Sequence, residues 1–405
     1  MQYNSATSPA SEKAHNVKKK GLNHLMPISK TVLKPNSPLP FPIYAKDGTL
    51  LVDKGIALNE QQVMNLLRKD KLLTKQSELL AALQKIRGQS KSNVEAGSYK
   101  ARTPFSILAS LENELEEIFS VQDSPLTLSN IYAAAGRVQT ICNQWPDSAI
   151  AKIFMDDKSN YTIQHSIHTA ILCDLAAKHL GWQEDARRSL VGAALTMNIS
   201  LGFLQDELQN QKEALTGEQK LLLKEHPIKS ATLLENIGIT EELWLNLVST
   251  HHEQVDGSGY PKGLNKSQLP KGTQILQLAD MYGAKISGRK YRDAVLPTDA
   301  ARYFFSIKEK NEYGILLDVF LKIIGLYPPG SIVRLRNDEI AMVVKRGSKI
   351  DKPMVRSLTN KDGQRLGSPA TRNTTQPLFS ITGFATLPVD FGEMDYDTLW
   401  GFTRQ

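Results

Sequence analysis

The sequence predicts a mainly α protein with a small α/β module before its helices and a short β extension after them. Between Ser106 and about Leu326, apolar residues return at spacings of three and four, beginning with Leu108, Leu111, Leu115 and Ile118, as one buried helix face requires. On both sides of that region the pattern changes to short apolar runs around turn residues. At 405 residues the chain also exceeds the roughly 250 to 300 residues that a single core serves, so more than one domain is expected.

Taken in order, residues 1–24 are rich in Ser, Asn and Lys without any period, which predicts a disordered basic tail. A regulatory α/β module is expected over 25–90. Apolar runs at 41–44 and 49–52 flank the turn dipeptide Asp47-Gly48, a hairpin signature, and amphipathic stretches come next at 59–67 and 78–86. Polar residues with Gly and Ser over 91–105 predict a linker. The helical domain of 106–326 has further helices expected at 128–144, 161–180, 184–198, 217–236, 240–252, 271–287, 297–309 and 313–325. Thr216-Gly217-Glu218-Gln219 has capping-box spacing, and Pro227 is expected to kink or interrupt its helix just after His226. Tyr327-Pro328-Pro329-Gly330 closes the helices and opens the extension of 327–405. There 331–335 and 340–344 read as paired strands about Asn337-Asp338-Glu339, and 354–358 as a third.

Composition narrows the class. The hydrophobic content of 41% and charged content of 22% are ordinary for a soluble globular protein. Cys142 and Cys173 are the only cysteines, which excludes a disulfide framework or a cysteine-rich zinc site and fits a reducing cytoplasm. No run reaches the roughly 18 to 20 apolar residues of a membrane helix, since Asp318 and Lys322 break the nearest one at 313–327. Lys18-Lys19-Lys20 is followed by no apolar segment, so neither a secretory leader nor membrane insertion is expected, and the protein is read as cytoplasmic. The net charge of +7 is concentrated early, with 16 Lys/Arg against 7 Asp/Glu in the first hundred residues and 33 against 35 in the rest. Such asymmetry suits an anionic partner or a solvated arm. The arm is the favoured reading, because no aromatic residues interleave the lysines, and no specific nucleic-acid binding is expected.

The chemistry concentrates at His251 and His252. Adjacent histidines at a helix end can present two imidazoles to one cation, neutral imidazole being the commonest metal ligand near neutral pH. A histidine pair alone is more often structural. The stretch just beyond the pair, Asp256-Gly257-Ser258-Gly259-Tyr260-Pro261, shifts the weighting, because two glycines allow positive φ and close backbone approach while Pro261 stiffens the turn. The whole run His251-His252-Glu253-Gln254-Val255-Asp256-Gly257-Ser258-Gly259-Tyr260-Pro261 resembles the HHExxDGxGYP signature of the HD-GYP phosphodiesterases. These are the subgroup of the HD metal-phosphohydrolase superfamily that degrades cyclic di-GMP.

The resemblance extends over about 155–330 and implies an HD-type helical bundle. Tyr161-Thr162-Ile163-Gln164-His165-Ser166 resembles the family's opening helix, whose histidine is a metal ligand, and Glu225-His226-Pro227 a segment with another. Leu278-Ala279-Asp280-Met281-Tyr282 is similar to the helix whose aspartate closes the first metal site, and residues 287–292 to the basic motif after it. The implied metal ligands are therefore His165, His226, His251, His252 and Asp280. The implied ligand contacts are Asp256, Gly257, Gly259, Tyr260, Pro261 and Lys262, with Arg289, Lys290 and Arg292 placed to grip phosphates. Tyr260 could stack on a guanine or simply pack the loop. His15, His24, His168 and His179 are expected at the surface or in packing, though His168 lies one turn from His165 and could reach the site.

One departure changes the expectation. Aligning 193–196 with the helix that ends in the family's His-Asp pair puts Met197-Asn198 in that place, and Leu201 where a lysine stands in the family pattern. The resemblance implies two cations about 3.5 to 4 Å apart, bridged by the aspartate. Asn198 offers one neutral carbonyl instead of two anionic oxygens, and the Met197 thioether is a poor ligand for Fe, Mn or Mg. Removing even an outer partner of a ligand costs about 10- to 100-fold, and two lost ligands should cost more. The expected cofactor is a divalent metal, Fe or Mn, as one ion or none rather than two: His226, His251 and His252 as one set, with His165 and Asp280 an incomplete second. The bland alternative is a hydrogen-bonded polar cluster filling an old cavity. The first functional reading is a signalling module that binds cyclic di-GMP or a partner protein with weak or no hydrolysis. An active cyclic di-GMP phosphodiesterase comes second and a hydrolase of another nucleotide third. In the N-terminal module no phosphorylation pocket or Gly-rich phosphate loop is evident.

Overall fold

The computed structural model describes residues 25–27, 35–39, 41–45, 47–67, 72–75, 103–120, 127–155, 161–202, 204–286, 297, 299, 303, 313–388 and 391–402. The expected tail, the stretch at 78–86, most of the linker, nearly all of the helix at 297–309, and Arg289, Lys290 and Arg292 lie outside them. The chain divides into two units, residues 1–99 with 121–129 and residues 100–120 with 130–405.

The first unit holds β1 (Leu25–Pro27), β2 (Ile43–Tyr44), β3 (Leu50–Val52) and β4 (Leu73–Lys75) in one antiparallel sheet of order β1-β4-β2-β3. The expected hairpin is β2–β3. Asp47 accepts the Thr49 N–H and Gly48 takes φ +84°, which a residue with a Cβ adopts only under strain. Helix α1 (Glu60–Leu67) begins where Asn59 and Gln62 exchange backbone and side-chain hydrogen bonds. Leu39, Phe41, Ile43, Leu58, Val63, Leu66 and Leu72 form its core.

The helices of the second unit are α2 (Pro104–Ser120), α3 (Thr127–Gln144), α4 (Pro146–Phe154), α5 (Tyr161–His179), α6 (Glu184–Thr196), α7 (Leu204–Asn210), α8 (Gly217–Ile237), α9 (Glu242–Thr250), α10 (Thr273–Ile286) and α11 (Ile315–Ile324). Helices α4 and α7 go beyond the sequence reading. The centre is α5, buried on nearly every side and packed against α2, α4, α6, α7, α10 and α11. A helix so placed must satisfy its polar groups internally. Asp174 accepts both arms of Arg187 from α6, at 3.0 Å from Nε and 2.6 Å from Nη2, and Arg187 also reaches Asn143. At its first turn, Thr162 gives its N–H and hydroxyl to Asp206 of α7. Trp244 of α9 is fully buried over Gly192 of α6, where an added Cβ would stand 2.0 Å from the indole, and its N–H donates to Thr196. That contact fixes the C-terminal end of α6 against α9.

Pro227 does not interrupt its helix. Helix α8 runs from Gly217 to Ile237, opened by the expected capping box of Thr216 and Gln219. Buried Pro227 sits inside it, and the carbonyl that its missing N–H would have bonded, that of Leu223, accepts the His226 ring instead. Tertiary packing and this substitute donor override the local rule.

The extension is a five-stranded antiparallel sheet of β5 (Ile332–Leu335), β6 (Ile340–Lys345), β7 (Met354–Thr359), β8 (Arg365–Asn373) and β9 (Ile381–Phe384) in the order β8-β7-β6-β5-β9. The three expected strands are present, and Asp338 turns the β5–β6 hairpin at φ +66°. The sheet packs on the helices. Gly330 lies so close to α4 that a Cβ would meet the Ala151 carbonyl at 2.6 Å. Arg346 bonds Asp147 at 2.5 Å and the Ile323 carbonyl at 2.8 Å. A short last helix, α12 (Tyr396–Trp400), places its rings on Phe105 of α2.

Arg187→Ala leaves Asp174 fully buried without its cation. Unfolding free energy is expected to fall by about 3 to 5 kcal/mol, read from the urea midpoint of the full chain. A fall below about 1 kcal/mol would mean that the pair does not tie α5 to α6.

Candidate metal centre

One helix end and one helix interior bring three histidines together. His251 follows the last residue of α9, His252 comes next, and His226 lies midway along α8. One ligand atom from each lies within 4.8 Å of the others. The Nδ1 of His226 is 2.6 Å from the Leu223 carbonyl, and the Nδ1 of His251 is 2.7 Å from the Val248 carbonyl. A carbonyl only accepts, so both rings carry their hydrogen on Nδ1. Burial, then the neighbouring His252, lowers both pKa values, that of His226 to about 4 and that of His251 well below the ordinary range, so both are neutral at pH 7.

The two Nε2 atoms are therefore bare, and they face each other at 3.0 Å. That is a hydrogen-bond distance, yet neither nitrogen has a hydrogen to give. Opposed lone pairs repel, and a cation between them would turn the contact attractive. Two nitrogens each about 2.1 Å from one ion stand roughly 3 Å apart when they subtend a right angle. The donor set fits a divalent metal.

A second pair lies beside the first. His165 of α5 is buried, stacks on Tyr161, and bonds through Nε2 to Asp280 of α10 at 2.7 Å. Gly283 packs against the other edge of the ring, where a Cβ would stand 3.3 Å from His165 Nδ1. Burial acts to raise the Asp280 carboxyl, but the His165 hydrogen bond, with the electrostatic influence of His165 and His252, outweighs it and holds the group below the carboxylate range. The Asp280 charge in turn opposes the lowering at His226, His251 and His252.

The glycine loop is held by Glu253. This fully buried carboxylate accepts the backbone N–H of Lys262 at 2.6 Å and of Leu264 at 2.8 Å, while Gln277 donates to its carbonyl. Gly259 passes so near that a Cβ would stand 2.2 Å from the Gln254 nitrogen. Tyr260 precedes a cis bond to Pro261, donates its N–H to the His252 carbonyl, and stacks its ring on His252 with centroids 4.8 Å apart. Asp256 is exposed and turns its carboxylate to the Ser258 N–H and hydroxyl, and the Lys262 side chain is exposed at the loop.

The structure thus brings together His226, His251 and His252, pairs His165 with Asp280, sets Tyr260 against His252, and places Gly257 and Gly259 in the loop that leads to it. His168 is buried, and burial, then Lys152, lowers its pKa to about 3. It lies outside the three-histidine cluster. Met197 and Asn198 are buried at the end of α6, entering the 3₁₀ turn Ile199–Leu201. Ser200 in that turn donates to the His226 carbonyl, which sets the turn against α8. Sequence reasoning gave no role to Glu253, Gly283 or Ser200. A glycine inside a helical pattern, costly relative to Ala, is the one available signal, and it marks Gly283.

Residues 149–313, which hold these helices and this donor set, match the family described as HD domain, and the His251–Pro261 string set on them is similar to the HD-GYP signature. The chain is 29% identical over 186 residues to the cyclic di-GMP phosphodiesterase PdeB of Borreliella burgdorferi, covering 46% of this chain and 49% of PdeB. It is 30% identical over 164 residues to the 3′3′-cGAMP-specific phosphodiesterase 3 of Vibrio cholerae, covering 40% of this chain and 34% of that relative. The chain thus spans about half the length of PdeB and about a third of the Vibrio protein. A solved structure, the HDG"Y"P protein Bd1817 of Bdellovibrio bacteriovorus, is similar at a TM-score of 0.47 with 17% identity, covering 74% of this chain and 99% of its own. Among the described residues, no helix is long and apolar enough to cross a membrane.

Two outcomes are expected of the metal-free protein. The unfolded chain binds protons at its histidines as pH falls through about 6.5, whereas folded His226 resists to about 4 and His168 to about 3. Their contribution to stability is therefore complete above about pH 7 and lost progressively toward about pH 3. Urea midpoints across that range test this, and a midpoint that does not move would contradict it. Glu253→Gln sets an amide NH₂ against one of two backbone donors, so stability should drop by about 1.5 to 3 kcal/mol. Hydrogen exchange at Lys262 and Leu264 should quicken more than at α5.

Proposed function

We propose that this protein acts in cyclic di-GMP signalling as a phosphodiesterase-type module with weak or no hydrolysis. The observation that carries the ligand class is the three-histidine cluster abutting the Gly-Tyr-Pro loop, with Tyr260 stacked on His252, in a domain similar to that of a cyclic di-GMP phosphodiesterase. A divalent ion, Fe or Mn, would be held by His226, His251 and His252, with His165 and Asp280 beside it. Bound there, such an ion supplies a positive charge that polarises a phosphoryl oxygen.

The chain's own residues do the rest. Tyr260 offers a half-buried ring face to a base, and exposed Lys262 offers an ammonium to a phosphate. Arg289, Lys290 and Arg292 would add charge-assisted hydrogen bonds to the same phosphates. Asp256, Gly257, Gly259 and Pro261 shape the loop that presents them. Weak hydrolysis is the consequence of Met197 and Asn198: a thioether and a neutral amide bring no negative charge to offset a second cation. We place the protein in the cytoplasm, in keeping with two buried free cysteines, and take cyclic di-GMP or a signalling protein as its partner.

The test offers cyclic di-GMP to the purified full chain with Mn²⁺ or Fe²⁺ and measures binding, linear dinucleotide and GMP, with 3′3′-cGAMP as a parallel arm. Binding with little product and no more than one ion per chain is expected. Met197→His with Asn198→Asp should raise turnover by more than about 100-fold. Efficient turnover that His251→Ala abolishes, or two ions per chain, would overturn weak hydrolysis. Preference for 3′3′-cGAMP would overturn the ligand assignment.

A further inference from the structure

We infer that Pro227 is a positioning residue, which frees a backbone carbonyl so that His226 is held with Nε2 bare and facing His251. The inference rests on the proposed metal reading for its consequence, while its geometry stands without a metal. In an α-helix the carbonyl of residue i accepts the N–H of residue i+4. For Leu223 that residue is Pro227, which has no N–H. The vacated carbonyl accepts His226 Nδ1 at 2.6 Å, from a ring only three residues on.

His251 reaches the same arrangement by another route. Its Nδ1 donates to the Val248 carbonyl, also three residues back, at 2.7 Å. Helix α9 ends at Thr250, so that carbonyl lies in the last turn, where no intrahelical donor reaches it. One ring uses a helix terminus and the other needs the same opening inside a helix, nine residues from its start at Gly217. Proline creates that opening without ending α8, since the helix continues to Ile237. Proline is the least favoured residue in a helix interior, and its place beside His226 is accounted for by what its missing hydrogen allows. Partners of this kind fix the tautomer and orientation of a metal-binding histidine.

Pro227→Ala returns a competing donor to the Leu223 carbonyl. In the metal-free full chain, ¹⁵N NMR of the histidine side chains is expected to show His226 leaving the single Nδ1–H tautomer for a mixture, while His251 keeps its own. The melting temperature should equal or exceed that of the parent, because α8 regains a hydrogen bond. A Mn²⁺ titration should show affinity about 10-fold weaker or more, so stability and affinity move in opposite directions. A residue that merely packs would lose both together. His226→Ala gives the affinity floor without restoring any donor. If His226 keeps its tautomer as fully in Pro227→Ala as in the parent, the carbonyl serves both donors and the inference is overturned. A lower melting temperature with an unchanged tautomer overturns it equally. If the parent takes up no Mn²⁺, the metal reading fails, and the tautomer result still decides the role of Pro227.

Discussion

Two bare imidazole nitrogens pointed at each other inside a packed helical domain form the constraint on which the rest depends. Burial keeps His226 and His251 neutral, and backbone carbonyls take the one hydrogen each ring holds. The rings keep this pose because α8 and α9 are each fixed elsewhere, α9 by Trp244 on Gly192 and Thr196, α8 by Ser200 and Ser230 across the 3₁₀ turn.

The same logic organises α5. A helix surrounded on nearly every side has no water for its polar groups, yet this one carries His165, His168 and Asp174. Asp174 is matched with Arg187 and His165 with Asp280, so α5 joins α6 and α10 through charge as well as apolar contact. Removing one partner of a buried pair costs more than the pair contributes. The architecture around the site therefore tolerates change poorly even at residues that would touch no ligand.

Much of this was legible in the sequence because chemistry demands residue types in a fixed order. The run from His251 to Pro261 announces the loop and two of the three clustered histidines, and the helix that carries Asp280 keeps to its apolar period, whereas α5, buried on nearly every side, has no single apolar face to show. The elements that escaped did so for physical reasons. Helix α7 spans seven residues, too few for a 3.6-residue period to stand out, and α4 follows directly on α3 with only Trp145 between them. Strand β8 is a largely exposed edge rich in small and polar residues, so it shows no apolar alternation. Pro227 reads as a break because the local rule cannot see that the freed carbonyl has a taker. Glu253 has no role in the sequence reading, because its charge is spent on two backbone N–H groups that only the folded loop brings to it.

Arg346 ties the sheet to two helices at once. One guanidinium spans the start of α4 at Asp147 and the end of α11 at Ile323, and Gly330 presses its backbone onto Ala151. A gene fusion that copied the helices and left the strands behind would strand an acid, an open helix terminus and a bare apolar wall together. The segment after Ile324 therefore folds with the bundle as one cooperative unit, and a cut between them would open the surfaces of both α4 and α11.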